Sequence, residues 1–149
     1  GLALAEGENG RAYLATKTLL DADPDQAGTA LIQAYYGEAR EDYGAHYHVM
    51  KAIGWLGYVP GYDILVQTLN IPQPQFQKSK AAAAIALGEL GNPDAIDALK
   101  PCLESKLWDL RYAAMIALEK LGDHSGTTVL ANDSDRYVQA HAQQMRNKS

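Results

Sequence analysis

The chain has 149 residues, 47% of them hydrophobic and 21% charged, enough for one domain or a short solenoid with a sizeable core. Thirteen Lys and Arg against eighteen Asp and Glu give a net charge of −5, which argues against nucleic acid or an anionic membrane as the main partner. A single cysteine, Cys102, excludes an intrachain disulfide and any multi-cysteine zinc site, and points to a reducing, cytoplasmic setting.

No apolar run approaches the ~20 residues of a membrane span, and the short run Leu2 to Ala5 lacks the basic flank of a secretory signal. The start at Gly1 rather than at methionine leaves open that further repeats precede the first one read here.

Residues 1 to 9 hold no usable period. A helix is expected from Gly10 to about Asp21. Asp23-Pro24 then suits an N-cap followed by proline at the first helical position, opening a helix over Asp25 to Tyr36 that Gly37 ends. The polar link Glu38 to Asp42 leads into a helix over Tyr43 to Leu56, stopped by Gly57 in the manner of a C-cap.

Pro60-Gly61 is a turn, and Ile64, Leu65 and Leu69 mark a short helix closed by the stiff run Ile71-Pro72-Gln73-Pro74. The helix Phe76 to Leu90 follows, capped by Gly91. Asn92-Pro93 opens Asp94 to Leu103, which Pro101 should kink or shorten. The last elements expected are helices over Trp108 to Leu121, ended by Gly122, over Gly126 to Ala131, and from Asp135 to about Asn147, with Ser134 as the N-cap of the last.

Three stretches repeat in one register: His46 to Gly57, Lys80 to Gly91 and Arg111 to Gly122. Tandem recurrence of this kind predicts an all-α, right-handed α-solenoid of about nine helices. Its units are roughly 10–36, 43–69, 76–104 and 108–131, closed by a cap over 135–147. Aligned on their closing glycines, the columns Leu110, Ala113, Ala114, Ala117, Leu118 and Leu121 recur as Ser79, Ala82, Ala83, Ala86, Leu87 and Leu90. Small residues there let helices approach closely. The last helix puts Val138, Gln139, Ala142, Gln143 and Arg146 in these columns, a half-polar face that suits a cap.

Beside the packed columns runs a basic one, His46, Lys80, Arg111 and Arg136, then an aromatic one, Tyr47, Ala81, Tyr112 and Tyr137. One turn on come Met50, Ala84, Met115 and Ala140. These columns allow a slot with a low floor, Ala81, Ala84 and Gly88, between walls of Tyr47 with Met50 and Tyr112 with Met115. The bland alternative is that the cations are solvated or pair with turns, and that the slot holds a partner's helix or loop.

These repeats resemble the HEAT-like repeats of the phycobilisome lyases: a basic residue, alanines, then Ala-Leu-x-x-Leu-Gly-Asp/Asn and a second short helix. Arg111 to Asp123 and Lys80 to Pro93 follow that pattern closely, and Tyr43-Gly44-Ala45-His46 is similar to the Tyr-Gly-Ala-Arg opening of the F-type subunits of bilin lyases, with His46 where those have arginine. The resemblance implies a chromophore lyase or lyase subunit that keeps no permanent cofactor. Its substrate would be a linear tetrapyrrole, presented to a cysteine of a phycobiliprotein, with a second lyase subunit as a further partner. On that basis Lys80, Arg111 and His46 are expected at the propionates and Tyr47 and Tyr112 at the rings. Met50 and Met115 line the walls and Arg136 extends the basic column; Asp109 or Glu119 protonates or bridges pyrrole nitrogens, against the blander reading of both as helix-terminal charges or surface pairs. The alternative is a non-enzymatic scaffold, such as an adaptor in phycobilisome turnover.

Other chemistry finds no support. His46 and His48 diverge by about 200° on a helix and cannot chelate one metal ion together. His48 is expected to be a half-buried, hydrogen-bonded structural residue and Cys102 a small core residue rather than a bilin-accepting thiol. Neither a nucleophile with an adjacent base nor a phosphate loop is present in the sequence.

Overall fold

The computed structural model describes residues 24–37 and 42–148. The helix expected over Gly10 to Asp21 and the cap at Asp23 lie outside these residues. Eight α-helices form the described part: α1 (Pro24–Tyr36), α2 (Tyr43–Leu56), α3 (Tyr62–Leu69), α4 (Gln77–Leu90), α5 (Ile96–Leu99), α6 (Trp108–Lys120), α7 (Ser125–Leu130) and α8 (Arg136–Lys148). No strand occurs among the described residues. The long helices α2, α4 and α6 lie side by side in one layer that α8 closes, and α1 packs on α2 from the side of the second layer. The short segments form a second layer, with α3 packing on α4 and α7 packing between α6 and α8. This is the all-α solenoid the repeats predict.

The helix ends follow from local chemistry. Asp42 accepts the Ala45 N–H at 2.9 Å and starts α2. Gly57 and Gly91 end α2 and α4 at φ +61° and +75°, where a side chain would be strained. Pro101 does shorten its helix: Pro93–Ala95 is a 3-10 turn, only Ile96–Leu99 is α, and Lys100–Glu104 returns to 3-10. The last cap differs from expectation. The carboxylate of Asp135, not the hydroxyl of Ser134, accepts the Val138 N–H at 3.0 Å, because the helix begins at Arg136 and Asp135 is the residue that flanks it.

The core lies between the layers. Ala45, Val49, Ile53, Ala83, Leu87, Ala114 and Leu118 are fully buried, and Leu65, Leu99 and Leu130 reach them from the short helices. On α8 the same columns keep Val138 and Ala142 inside while Gln143 and Arg146 are exposed. Its Gln143 amide donates to the Ala131 carbonyl at 2.9 Å, tying this half-polar helix to the end of α7.

Close approach of the long helices depends on glycine. A Cβ at Gly88 would stand 2.7 Å from the Ala117 Cα, and one at Gly54 2.8 Å from the Ala86 Cβ. In an open helix Gly→Ala stabilises by up to about 1 kcal/mol, but against rigid backbone overpacking costs about 1–3 kcal/mol. We therefore expect Gly88→Ala to destabilise the fold by about 1–3 kcal/mol in urea unfolding. A more stable variant would show that α4 and α6 separate at little cost.

Candidate functional site

A cleft of about 1000 Å³ opens between α2 and α4 and is closed at one end by Asp109 of α6. Four residues spaced by four, Tyr43, Tyr47, Lys51 and Trp55, form its α2 wall. Helical geometry explains the alignment, since i and i+4 lie one above the other. The stripe from Tyr43 to Trp55 covers about 18 Å of helix. The opposite wall is low: Ala81, Ala82, Ile85 and Ala86 of α4, with Lys78 at one end and Glu89 at the other.

Several polar groups in the cleft have a defined setting. The Lys51 Nζ lies 4.7 Å from the Trp55 ring centroid and 5.3 Å from that of Tyr47. Asp109 accepts from the Gln77 amide, with both carboxylate oxygens 3.3 Å from Nε2. The Glu89 carboxylate reaches over Gly54, 3.1 Å from where a Cβ would stand there. His48 lines the cleft edge-on to Tyr47, with ring centroids 5.2 Å apart. Burial, and then the charge of Lys51, lower its pKa from the usual 6.5. An apolar floor, an aromatic wall and two ammonium groups suit a flat conjugated ligand bearing carboxylates.

The residues expected from the repeat columns divide differently. Tyr47 and Asp109 do line the cleft. Tyr112 does not: it sits on α6, with its ring 5.4 Å from those of Tyr137 and His141, and Trp108 leans on Tyr137 at 5.9 Å. Burial, followed by a hydrogen bond with Tyr137, raises the Tyr112 phenol pKa. With α4 between them, α2 and α6 stand about two helix spacings, roughly 16–20 Å, apart, so Tyr47 and Tyr112 cannot be the two walls of one narrow slot. Of the expected floor Ala81 does line the cleft, but Ala84 is fully buried and Gly88 is covered by Ala117.

Met50 and Met115 are 0% exposed and belong to the core rather than to any wall. Three residues along a helix turn the side chain 60° short of a full circle. That is enough to carry Met50 past the rim and under the Thr68 hydroxyl, which donates to its sulfur at 3.3 Å.

The basic column is not a row of free cations. His46 is 1% exposed, packed between Tyr35 and Phe76 at ring distances of 5.4 and 4.9 Å. Desolvation pulls its pKa down to about 4, so it is neutral near pH 7 and cannot hold a propionate as a cation. Arg111 turns toward the inter-repeat turn, donating to both carboxylate oxygens of Asp133 at 2.9 Å and to the Ser105 carbonyl at 2.9 Å. Lys80 is half-buried and does not line the cleft. It lies near enough to Cys102 to oppose the rise that burial imposes on the thiol pKa. Arg136 is exposed at the start of α8. The column stands one residue, 100°, before the aromatic one and so faces the second layer's turns.

Glu119 likewise serves the fold. It accepts from the Thr127 hydroxyl at 3.0 Å and meets His124 Nδ1 at 3.0 Å, tying α6 to α7. Among the described residues no cluster of three His, Cys, Asp or Glu side chains could hold a metal, and no helix is long and apolar enough to cross a membrane. Missed by the column reading were Tyr43, Lys51, Trp55, Lys78 and Glu89. The signal that marks most of them is the i, i+4 run of Tyr43, Tyr47, Lys51 and Trp55, which crosses the repeat columns rather than following one.

Two layers of tandem helices with a cleft on the long-helix layer define a HEAT-repeat α-solenoid, and residues 73–146 match the family model of HEAT repeats. The chain is similar to "Uncharacterized phycocyanin operon protein Y" of Pseudanabaena tenuis (strain PCC 7409), 52% identical over 135 residues, covering 91% of this chain and 32% of the relative. It is also similar to "Bilin biosynthesis protein CpeY" of Synechococcus sp. (strain WH8020), 30% identical over 154 residues, covering 89% of this chain and 35% of the relative. The chain is a HEAT-repeat solenoid similar to these two relatives. It spans about a third of the length of the curated relatives it matches.

Proposed function

We propose that this chain is part of a phycobiliprotein chromophore lyase and that the cleft between α2 and α4 holds the linear tetrapyrrole. The observation that carries the reading is the lining of that cleft: an aromatic and cationic wall facing a floor of alanine and isoleucine, along about 18 Å of helix. The relatives' names, one referring to a phycocyanin operon and the other to bilin biosynthesis, support the same role. The rings lie against Ala81 and Ile85 with Tyr47 and Trp55 over them, and the propionates reach Lys51 and Lys78. The expected site therefore moves from Lys80, Arg111 and His46 to the residues of the cleft.

The reaction needs little covalent help. A phycobiliprotein cysteine adds across the exocyclic double bond of the bilin: a C–S bond forms, the thiol proton ends on the neighbouring carbon, and nothing is oxidised or reduced. The chain's part is to fix the orientation of the bilin and shield it from wrong attack. A second lyase subunit completes the work in this reading.

Titration with phycocyanobilin, followed by visible absorbance and induced circular dichroism, tests it. The wild-type chain should give a saturable spectral shift, and Ala81→Trp, which fills the floor, should weaken binding at least about tenfold while leaving the unfolding transition in place. No binding, or equal binding by the filled variant, overturns the reading and turns attention to a protein-binding scaffold.

A further inference from the structure

Among the described residues Lys51 is held in a way the other cations are not. It stands one turn from both Tyr47 and Trp55 on the cleft wall, and its ammonium lies over both rings, 5.3 and 4.7 Å from their centroids. Among the described residues it makes no ion pair, whereas Arg111 is forked onto Asp133 and Lys100 reaches Asp123 at 3.5 Å. The aromatic faces attract the cation without neutralising it, and they restrict the lysine stem, which otherwise loses much rotamer freedom when it is fixed. The charged groups sharing the cleft are Lys78, Glu89 and Asp109. Asp109 is already taken by the Gln77 amide, and Glu89 lies over Gly54, one turn along α2 from Lys51, without forming an ion pair with it. Lys51 is thus a pre-positioned ammonium with hydrogen-bond donors to spare, facing the apolar floor.

We propose that Lys51 is the carboxylate-recognising residue of the cleft, making it selective for planar chromophores with free propionates over their neutral esters. This rests on the cleft holding a tetrapyrrole. A carboxylate meeting Lys51 forms a charge-assisted hydrogen bond in a half-desolvated setting. An ester offers only a weak acceptor and leaves the ammonium unpaired.

The test is a matched titration of the wild-type chain, Lys51→Met and Lys51→Gln with phycocyanobilin as the free diacid and as its dimethyl ester, with folding checked by circular dichroism. Wild type should bind the diacid about tenfold to a hundredfold tighter than the ester, and both variants should lose at least about tenfold of that preference, with Lys78 retaining the rest, while binding the ester as wild type does. If wild type binds both forms equally, or the variants keep the preference, Lys51 is a surface lysine resting on two rings and the proposal falls, although the cleft still holds bilin. If wild type binds neither form, the tetrapyrrole reading fails and the proposal fails with it. Met and Gln remove the charge with different polarity, so a defect confined to one of them is a packing effect and overturns the assignment.

Discussion

Removing the Asp133 carboxylate should cost about 3–5 kcal/mol of stability, more than any other single side-chain deletion we expect in this chain. The Arg111 and Asp133 side chains are only 12% and 7% exposed. Asp133→Ala would leave the guanidinium buried with the Ser105 carbonyl as its remaining partner, and would also strip the Asp135 N–H of its acceptor, now 3.0 Å away. Burial by itself would raise the Asp133 pKa, but the Arg111 fork, the Asp135 N–H and the Arg111 charge outweigh it and hold the carboxyl below its ordinary 3.8. In thermal unfolding the midpoint should fall by roughly 10 °C. The double variant Arg111→Met with Asp133→Leu should recover much of the loss, since a buried pair contributes little beyond an apolar replacement of similar volume. A loss below about 1 kcal/mol in Asp133→Ala would show that water already reaches the pair. The same geometry explains why replacing Arg111 by alanine is a poor probe of ligand binding: it reports on folding.

Between pH 6.5 and pH 4 the chain should lose on the order of 3 kcal/mol of stability through His46. Desolvation lowers its folded-state pKa from 6.5 to about 4, so the unfolded chain binds the proton first as the pH falls. The stabilisation is therefore fully present above about pH 6.5 and is withdrawn as the pH drops toward 4. His48, lowered in the same direction, adds a contribution of the same sign. His46→Leu should flatten this part of the pH profile, with the His48 share remaining. At pH 7 it should be no less stable than wild type, because the buried Nδ1 of His46 has no hydrogen-bond partner among the described residues. Urea unfolding at pH 4.5 and pH 7 measures both effects. An unchanged slope in His46→Leu would mean that the ring protonates in the fold without penalty. The seam where α1, α2 and Phe76 meet, which His46 packs, is the part of the fold expected to loosen in acid.

Much of the architecture can be read directly. Glycines at 57, 91 and 122 close three helices in one register, and each carries the positive φ that a C-cap of this kind needs. Pro101 breaks its helix into 3-10 turns, and the small-residue columns Ala83, Ala86, Ala114 and Ala117 are buried where their period puts them. These features depend on backbone chemistry and helical period, which are local. The candidate site was less legible. Tyr47 and Asp109 were found, but Lys51, Trp55 and Lys78 were not, because a column names residues equivalent between repeats. A cleft instead joins unlike residues of neighbouring helices. Chemical type also misled at His46, where a basic residue in a basic column proves to be an aromatic ring among aromatic rings.

The amino-acid sequence by itself determined the repeat, its register, the helix ends and the packed face, all of which follow from residue type and spacing along the chain. The tertiary structure alone decided the environment of each remaining side chain. Small angular differences around a helix put Met50 in the core, Arg111 on a turn and Lys51 over two rings. How far α2 stands from α4 and from α6 decided that the aromatic column is divided, with Tyr47 in the cleft and Tyr112 against Tyr137. Burial and distance arise between segments remote in sequence, and they set which cation is free to meet a ligand and which histidine carries no charge.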